Sequence, residues 1–124
     1  MKNYNESFDP PAPLAEIILR NIETGERVKT VSVLLDTGAD VSLLPSTAIE
    51  KLNIEPSGKK VKLVGFDESE NIADVFALQI IFLGKRLTGD YCAIDDEIGI
   101  LGRDVLNEFS ITFDGVNLEW KVNK

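Results

Sequence analysis

Short apolar blocks alternate along the chain with polar, glycine- or proline-bearing breaks, and the blocks read as strands. Residues 14–21 (LAEIILRN) predict a first strand, and Glu23-Thr24-Gly25-Glu26 a hairpin turn. Residues 28–35, rich in valine and partly alternating, predict a second strand. It runs straight into Asp36-Thr37-Gly38, where glycine and a short polar side chain break the pattern. Residues 41–44 resume the strand, Pro45 ends it, and Ser46 is placed to cap a short helix running through Glu50 to Leu52.

After a loop over 53–58, residues 60–65 predict another strand. Asp67-Glu68-Ser69-Glu70-Asn71 forms a polar tip, and 72–83 a longer strand that returns from it. Gly84-Lys85 turns the chain into 86–94, and Asp95-Asp96-Glu97 is a solvated acidic turn. The apolar block 98–101 precedes a second short helix, opened by Gly102-Arg103-Asp104 and reaching Phe109. A hairpin over 111–122, turning at 114–117, closes the chain. Many short strands, two short helices and frequent turns predict a mostly-β closed or sandwiched sheet. Residues 1–13 (MKNYNESFDPPAP) read as a flexible polar, proline-rich leader, and 14–124 as one folded domain.

Composition narrows the chemistry. A formal charge of −8 argues against nucleic acid, whose phosphates need a basic stripe. No apolar run is long enough for a membrane helix, and the amino terminus lacks the apolar stretch of a secretory signal. Together with a single cysteine, Cys92, this predicts a cytoplasmic protein with a buried core thiol. The chain contains no histidine. Ser-His-Asp and Cys-His hydrolases are thereby excluded, along with the common histidine-bound zinc catalysts. Any catalysis falls to carboxylates, hydroxyls, lysines or backbone groups.

The informative stretch is LLDTGADVSLLP, residues 34–45, in which an apolar strand delivers Asp36 to a glycine turn and a second apolar strand follows. A second stretch, IGILGRDVL at 98–106, places two apolar residues before Gly102-Arg103-Asp104 and an apolar helix. In this order, with the polar-tipped hairpin between them, the two stretches resemble the retropepsins, the retroviral-type aspartic proteases, over roughly residues 31–113.

The resemblance implies a retropepsin-like closed β-barrel, equivalent to half of a larger acid protease, with a flap hairpin and an active site at a homodimer interface. It assigns Asp36 as the catalytic carboxylate. Two aspartates held about 3 Å apart cannot both ionise, so they split into acid and base, and aspartic proteases are the usual illustration of this effect. With one Asp-Thr-Gly per chain, the second aspartate must come from a second copy. Thr37, Gly38, Ala39, Asp40, Gly102 and Arg103 are implied as support of the active-site loop. Thr37 would bond across the dimer axis, and Asp40 and Arg103 would pair. Val64, Gly65, Phe66 and Asp67 are implied at the flap, with Gly38 and Asp40 also facing substrate. The flap tip is acidic, where retroviral flaps carry several glycines. The implied activity is peptide-bond hydrolysis by an activated water, with no cofactor and no metal. The partners implied are a second copy and a peptide or protein substrate. The alternative reading is a catalytically silent retropepsin-like module that binds peptides or dimerises.

Overall fold

The computed structural model describes residues 1–65 and 67–124; Phe66, implied at the flap, lies outside the described residues. Its strands are β1 (Lys2–Asn3), β2 (Leu14–Arg20), β3 (Arg27–Leu35), β4 (Leu43–Pro45), β5 (Lys60–Val64), β6 (Glu70–Phe82), β7 (Lys85–Ile94), β8 (Gly99–Leu101), β9 (Ile111–Asp114) and β10 (Glu119–Val122). The helices are α1 (Ser46–Glu50) and α2 (Arg103–Leu106).

Six strands close into a barrel in the order β2-β3-β8-β4-β7-β6, because β6 returns to pair with β2 through Ile18–Ile81, Leu19–Ile80 and Arg20–Gln79. Closure satisfies backbone groups that an open sheet would leave exposed at its edges. The strand β8 runs parallel to β3 (Val33–Gly99, Leu34–Ile100, Leu35–Leu101) and antiparallel to β4 (Leu43–Ile100). That wedge carries the end of β3 to one mouth of the barrel.

Alternation along β6 shows how the fold is encoded. Leu78, Ile80 and Phe82 point into the barrel, whereas Ala73 and Val75 are buried on the opposite face of the same strand; Asp74 and Ala77 meet solvent. The barrel interior is filled by Ile17, Leu19, Val33, Leu44, Ile49, Leu52, Leu78, Ile80, Leu101 and Val105. The other end of β6 leaves the barrel and pairs with β5 from Lys60–Asp74 to Val64–Glu70, forming the polar-tipped hairpin. A separate small cluster of Ala73, Val75 and Cys92, flanked by Leu43, Val61 and Leu63, packs this hairpin onto the barrel.

Three local features differ from expectation. The first 13 residues are tied to the closing hairpin. Lys2 and Asn3 pair with Trp120 and Glu119, Asn5 and Ala12 exchange backbone bonds, and Tyr4 packs on the core. Pro45 rather than Ser46 is the N-cap of α1, without a side-chain bond, because Pro45 still pairs with Ile94 and the helix springs directly from the strand. The helix α2 ends at Leu106; Glu108 and Phe109 then donate three residues back to Val105 and Leu106, tightening the final turn. Among the described residues no helix is long and apolar enough to cross a membrane.

Candidate active site

Asp36 follows the last residue of β3, and its backbone N–H donates to Leu101 O at 3.0 Å. The carboxylate is fixed by the turn it opens: Gly38 N–H donates to Asp36 Oδ1 at 2.8 Å, and Ala39 N–H to Asp36 O at 3.2 Å. A Cβ on Gly38 would lie 3.1 Å from the same Oδ1, so glycine lets the amide approach the carboxylate unobstructed. The glycine therefore serves the aspartate itself.

The loop after Asp36 rests on the start of α2. Arg103 N–H donates to Ala39 O at 2.8 Å, and the Arg103 guanidinium to Thr37 O at 2.7 Å. Gly102 lies directly beneath: a Cβ there would come within 2.8 Å of Val41 C and O and 2.9 Å of Ala39 O. The implied Asp40–Arg103 ion pair is not among the salt bridges of the described residues, which all join lysines to carboxylates. The guanidinium instead binds a backbone carbonyl of the Asp-Thr-Gly turn itself, and Asp40 stands exposed at the cleft.

Two residues not singled out from sequence complete the support. Ser42 is fully buried; its N–H donates to Asp104 Oδ2 at 2.9 Å and its hydroxyl to Asp104 Oδ1 at 2.6 Å. The same hydroxyl accepts Gly102 N–H at 3.0 Å. The available signal was a lone polar side chain within the apolar run Val41-Ser42-Leu43-Leu44. A polar residue in such a run must find partners inside the fold.

A cleft of about 540 Å³ opens between this loop and the hairpin, with Asp36 at its floor. Gly38, Ala39, Asp40, Val41, Leu43 and Ile100 line one side, and residues 61–65 the other. Of the implied flap residues, Val64 and Gly65 reach this cleft, whereas Asp67 lies in the hairpin tip. There Gly65 N–H donates to Ser69 O and Glu68 N–H to Gly65 O. Hydrogen bonds from Ser69, its side chain first and then its backbone, hold the Asp67 carboxyl below its ordinary pKa. The tip is thus a hydrogen-bonded turn. Among the described residues no group of histidine, cysteine and carboxylate side chains could hold a metal.

The family model described as aspartyl protease matches residues 21–105, more than half of the chain and both stretches that build this cleft. No curated protein matches significantly. Among solved structures the chain is similar to EIAV protease complexed with the inhibitor HBY-793, with a TM-score of 0.60 and 24% sequence identity. The match covers 78% of this chain and 86% of the viral one. A shared barrel at that level of identity speaks for the fold, and the family match for the lineage. The chain belongs to the aspartyl protease family and has the retropepsin-like fold.

Proposed function

We propose that this chain acts as a homodimeric aspartic endopeptidase, with Asp36 from each copy as the catalytic pair. The observation that carries the reading is a cleft with one Asp-Thr-Gly aspartate at its floor, held by its own turn and open to solvent. Hydrolysis of a peptide bond without metal or covalent nucleophile needs one carboxylate to take a proton from water and one carboxylic acid to protonate the carbonyl. One Asp36 supplies half of that requirement, and two-fold pairing supplies the rest.

In this reading a water between the two Asp36 carboxylates attacks the scissile carbonyl. The proton passes to one carboxylate while the other donates to the carbonyl oxygen, giving a tetrahedral intermediate. Thr37, exposed beside the Asp36 turn, bonds to its counterpart across the two-fold axis. An extended peptide lies along the cleft, with its side chains against Val41, Leu43, Val61, Leu63 and Ile100 and the hairpin closing over it. The lone buried thiol of Cys92 suits a reducing, cytoplasmic compartment.

The test is cleavage of a mixed peptide library at high protein concentration from about pH 4 to 7, beside Asp36→Asn, with the solution mass of both proteins measured. Cleavage by the wild-type dimer and silence from an equally folded variant support the proposal. Silence from both supports a peptide-binding module instead, and a monomer that cleaves would remove the shared-site argument.

A further inference from the structure

The loop 36–42 is held at both ends and in its middle by the short segment 101–104. Leu101 O takes Asp36 N–H at the start, and Arg103 takes the Thr37 and Ala39 carbonyls in the middle. At the far end Asp104 takes both hydrogen-bond donors of Ser42. Within this arrangement the Ser42 hydroxyl is a relay, accepting Gly102 N–H while donating to Asp104. Three donors (Ser42 N–H, Ser42 O–H and Gly102 N–H) are thereby satisfied through two side chains, and Ser42 is wholly buried. Removal of either side chain strands a buried donor, which costs more than the bond itself was worth.

Asp104 enters none of the salt bridges of the described residues. Its charge is felt nearby: after burial, it is the second cause that raises the pKa values of Tyr91 and Cys92. The carboxylate is thus kept as an acceptor of paired donors, where a charge-assisted bond holds geometry more firmly than a neutral one.

We propose that Asp104, acting through Ser42 and Gly102, is a positioning residue that sets the loop carrying Asp36 against the base of the cleft. This rests on the protease reading of Asp36, and it adds two residues outside the Asp-Thr-Gly turn whose loss would slow chemistry while substrate binding persists.

The test uses the full chain with Ser42→Ala, Asp104→Ala, Asp104→Asn and the Ser42→Ala/Asp104→Ala double variant. They are assayed on a peptide that the wild type cleaves and followed by amide hydrogen exchange. Each alanine variant should lower kcat about tenfold or more with KM within about twofold. The double variant should be no worse than the poorer single one, since the pair acts as a unit. Asp104→Asn, which keeps an acceptor for Ser42 N–H, should retain more activity than Asp104→Ala. Exchange should quicken at Ser42, Gly102 and Gly38 and stay unchanged across β6 and β7. Unchanged kcat, or a loss matched by uniformly faster exchange, overturns the proposal. If the wild type cleaves no peptide, the protease reading fails and exchange alone decides. Local acceleration reaching Gly38 upholds the positioning role, and its absence overturns it.

Discussion

Gly99 and Leu43 meet backbone to backbone: a Cβ on Gly99 would lie 2.6 Å from the Leu43 carbonyl oxygen and 2.9 Å from Pro45 Cδ. This contact lets β8 slot between β3 and β4, the arrangement that brings Leu101 O to the Asp36 amide. Because the obstructing atoms include backbone, they cannot rotate away. Gly99→Ala should therefore destabilise the fold by about 1–3 kcal/mol, the usual cost of overpacking. A urea denaturation midpoint, with the slope of the transition unchanged, measures this.

Gly38→Ala tests a different kind of closeness. Its Cβ would stand 3.1 Å from Asp36 Oδ1, a contact that a small shift of the carboxylate relieves. Stability should change little, whereas kcat should fall about tenfold, corresponding to roughly 1.4 kcal/mol of lost transition-state stabilisation. Steady-state kinetics beside a thermal melt separates the two effects, and an unchanged kcat would show that the Asp36 carboxylate tolerates the shift.

Much of this architecture was legible because its determinants are local. The valine-rich, partly alternating run of β3, turn residues at Gly25 and Gly84, and apolar strands on either side of the Asp-Thr-Gly turn each predict their element from neighbouring residues. Features that rest on distant partners were not legible. Nothing near Lys2 announces pairing with Trp120, and nothing near Asp104 announces two bonds to Ser42. The Asp40–Arg103 pair shows the same limit from the other side. Helix-start placement brings Arg103 to the right loop, but backbone carbonyls compete for its donors, and Thr37 O takes the contact.

Trp120 anchors the closing hairpin. It is 2% exposed, its ring centroid lies 6.2 Å from that of Phe82, and its indole N–H donates to Leu14 O at 3.3 Å. Trp120→Ala should cost about 3–5 kcal/mol. Trp120→Phe keeps most of the packing and should be the milder change, though it leaves Leu14 O without its donor. Denaturation followed by circular dichroism checks both, since the substitutions remove the only tryptophan signal.

Tyr91 gives an alkaline signature. Burial, with a smaller contribution from the Asp104 charge, pushes its pKa up from 10.0 to about 12. The folded state therefore keeps a proton that the unfolded chain has lost. The stabilising contribution is complete below the unfolded value and disappears as pH rises through about 12. Tyr91→Phe should flatten this decline, as read from stability measured at a series of alkaline pH values. An identical decline in the variant would assign it to other groups.

Cys92 should resist alkylation while the protein is folded. It is 4% exposed, and burial first, then the Asp104 charge, raises its thiol pKa, so little thiolate is present near neutral pH. Mass spectrometry after brief treatment with a thiol reagent should find unmodified native protein and complete labelling in denaturant. Rapid native labelling would mean that the β5–β6 hairpin lifts away from the barrel readily.

The parallel pairing of Val33, Leu34 and Leu35 with Gly99, Ile100 and Leu101 sets an order of events during synthesis. A nascent chain exposes Asp36 well before the strand and helix turn that hold its loop, because residues 99–104 follow it at long separation in the sequence. Loop closure over such a separation is slow relative to the local hairpins. The β2–β3 and β6–β7 pairs can form beforehand, but the seat beneath the Asp36 turn waits for Leu101. Throughout the interval between the synthesis of Asp36 and that of Leu101, the Asp36 carboxylate is therefore unseated.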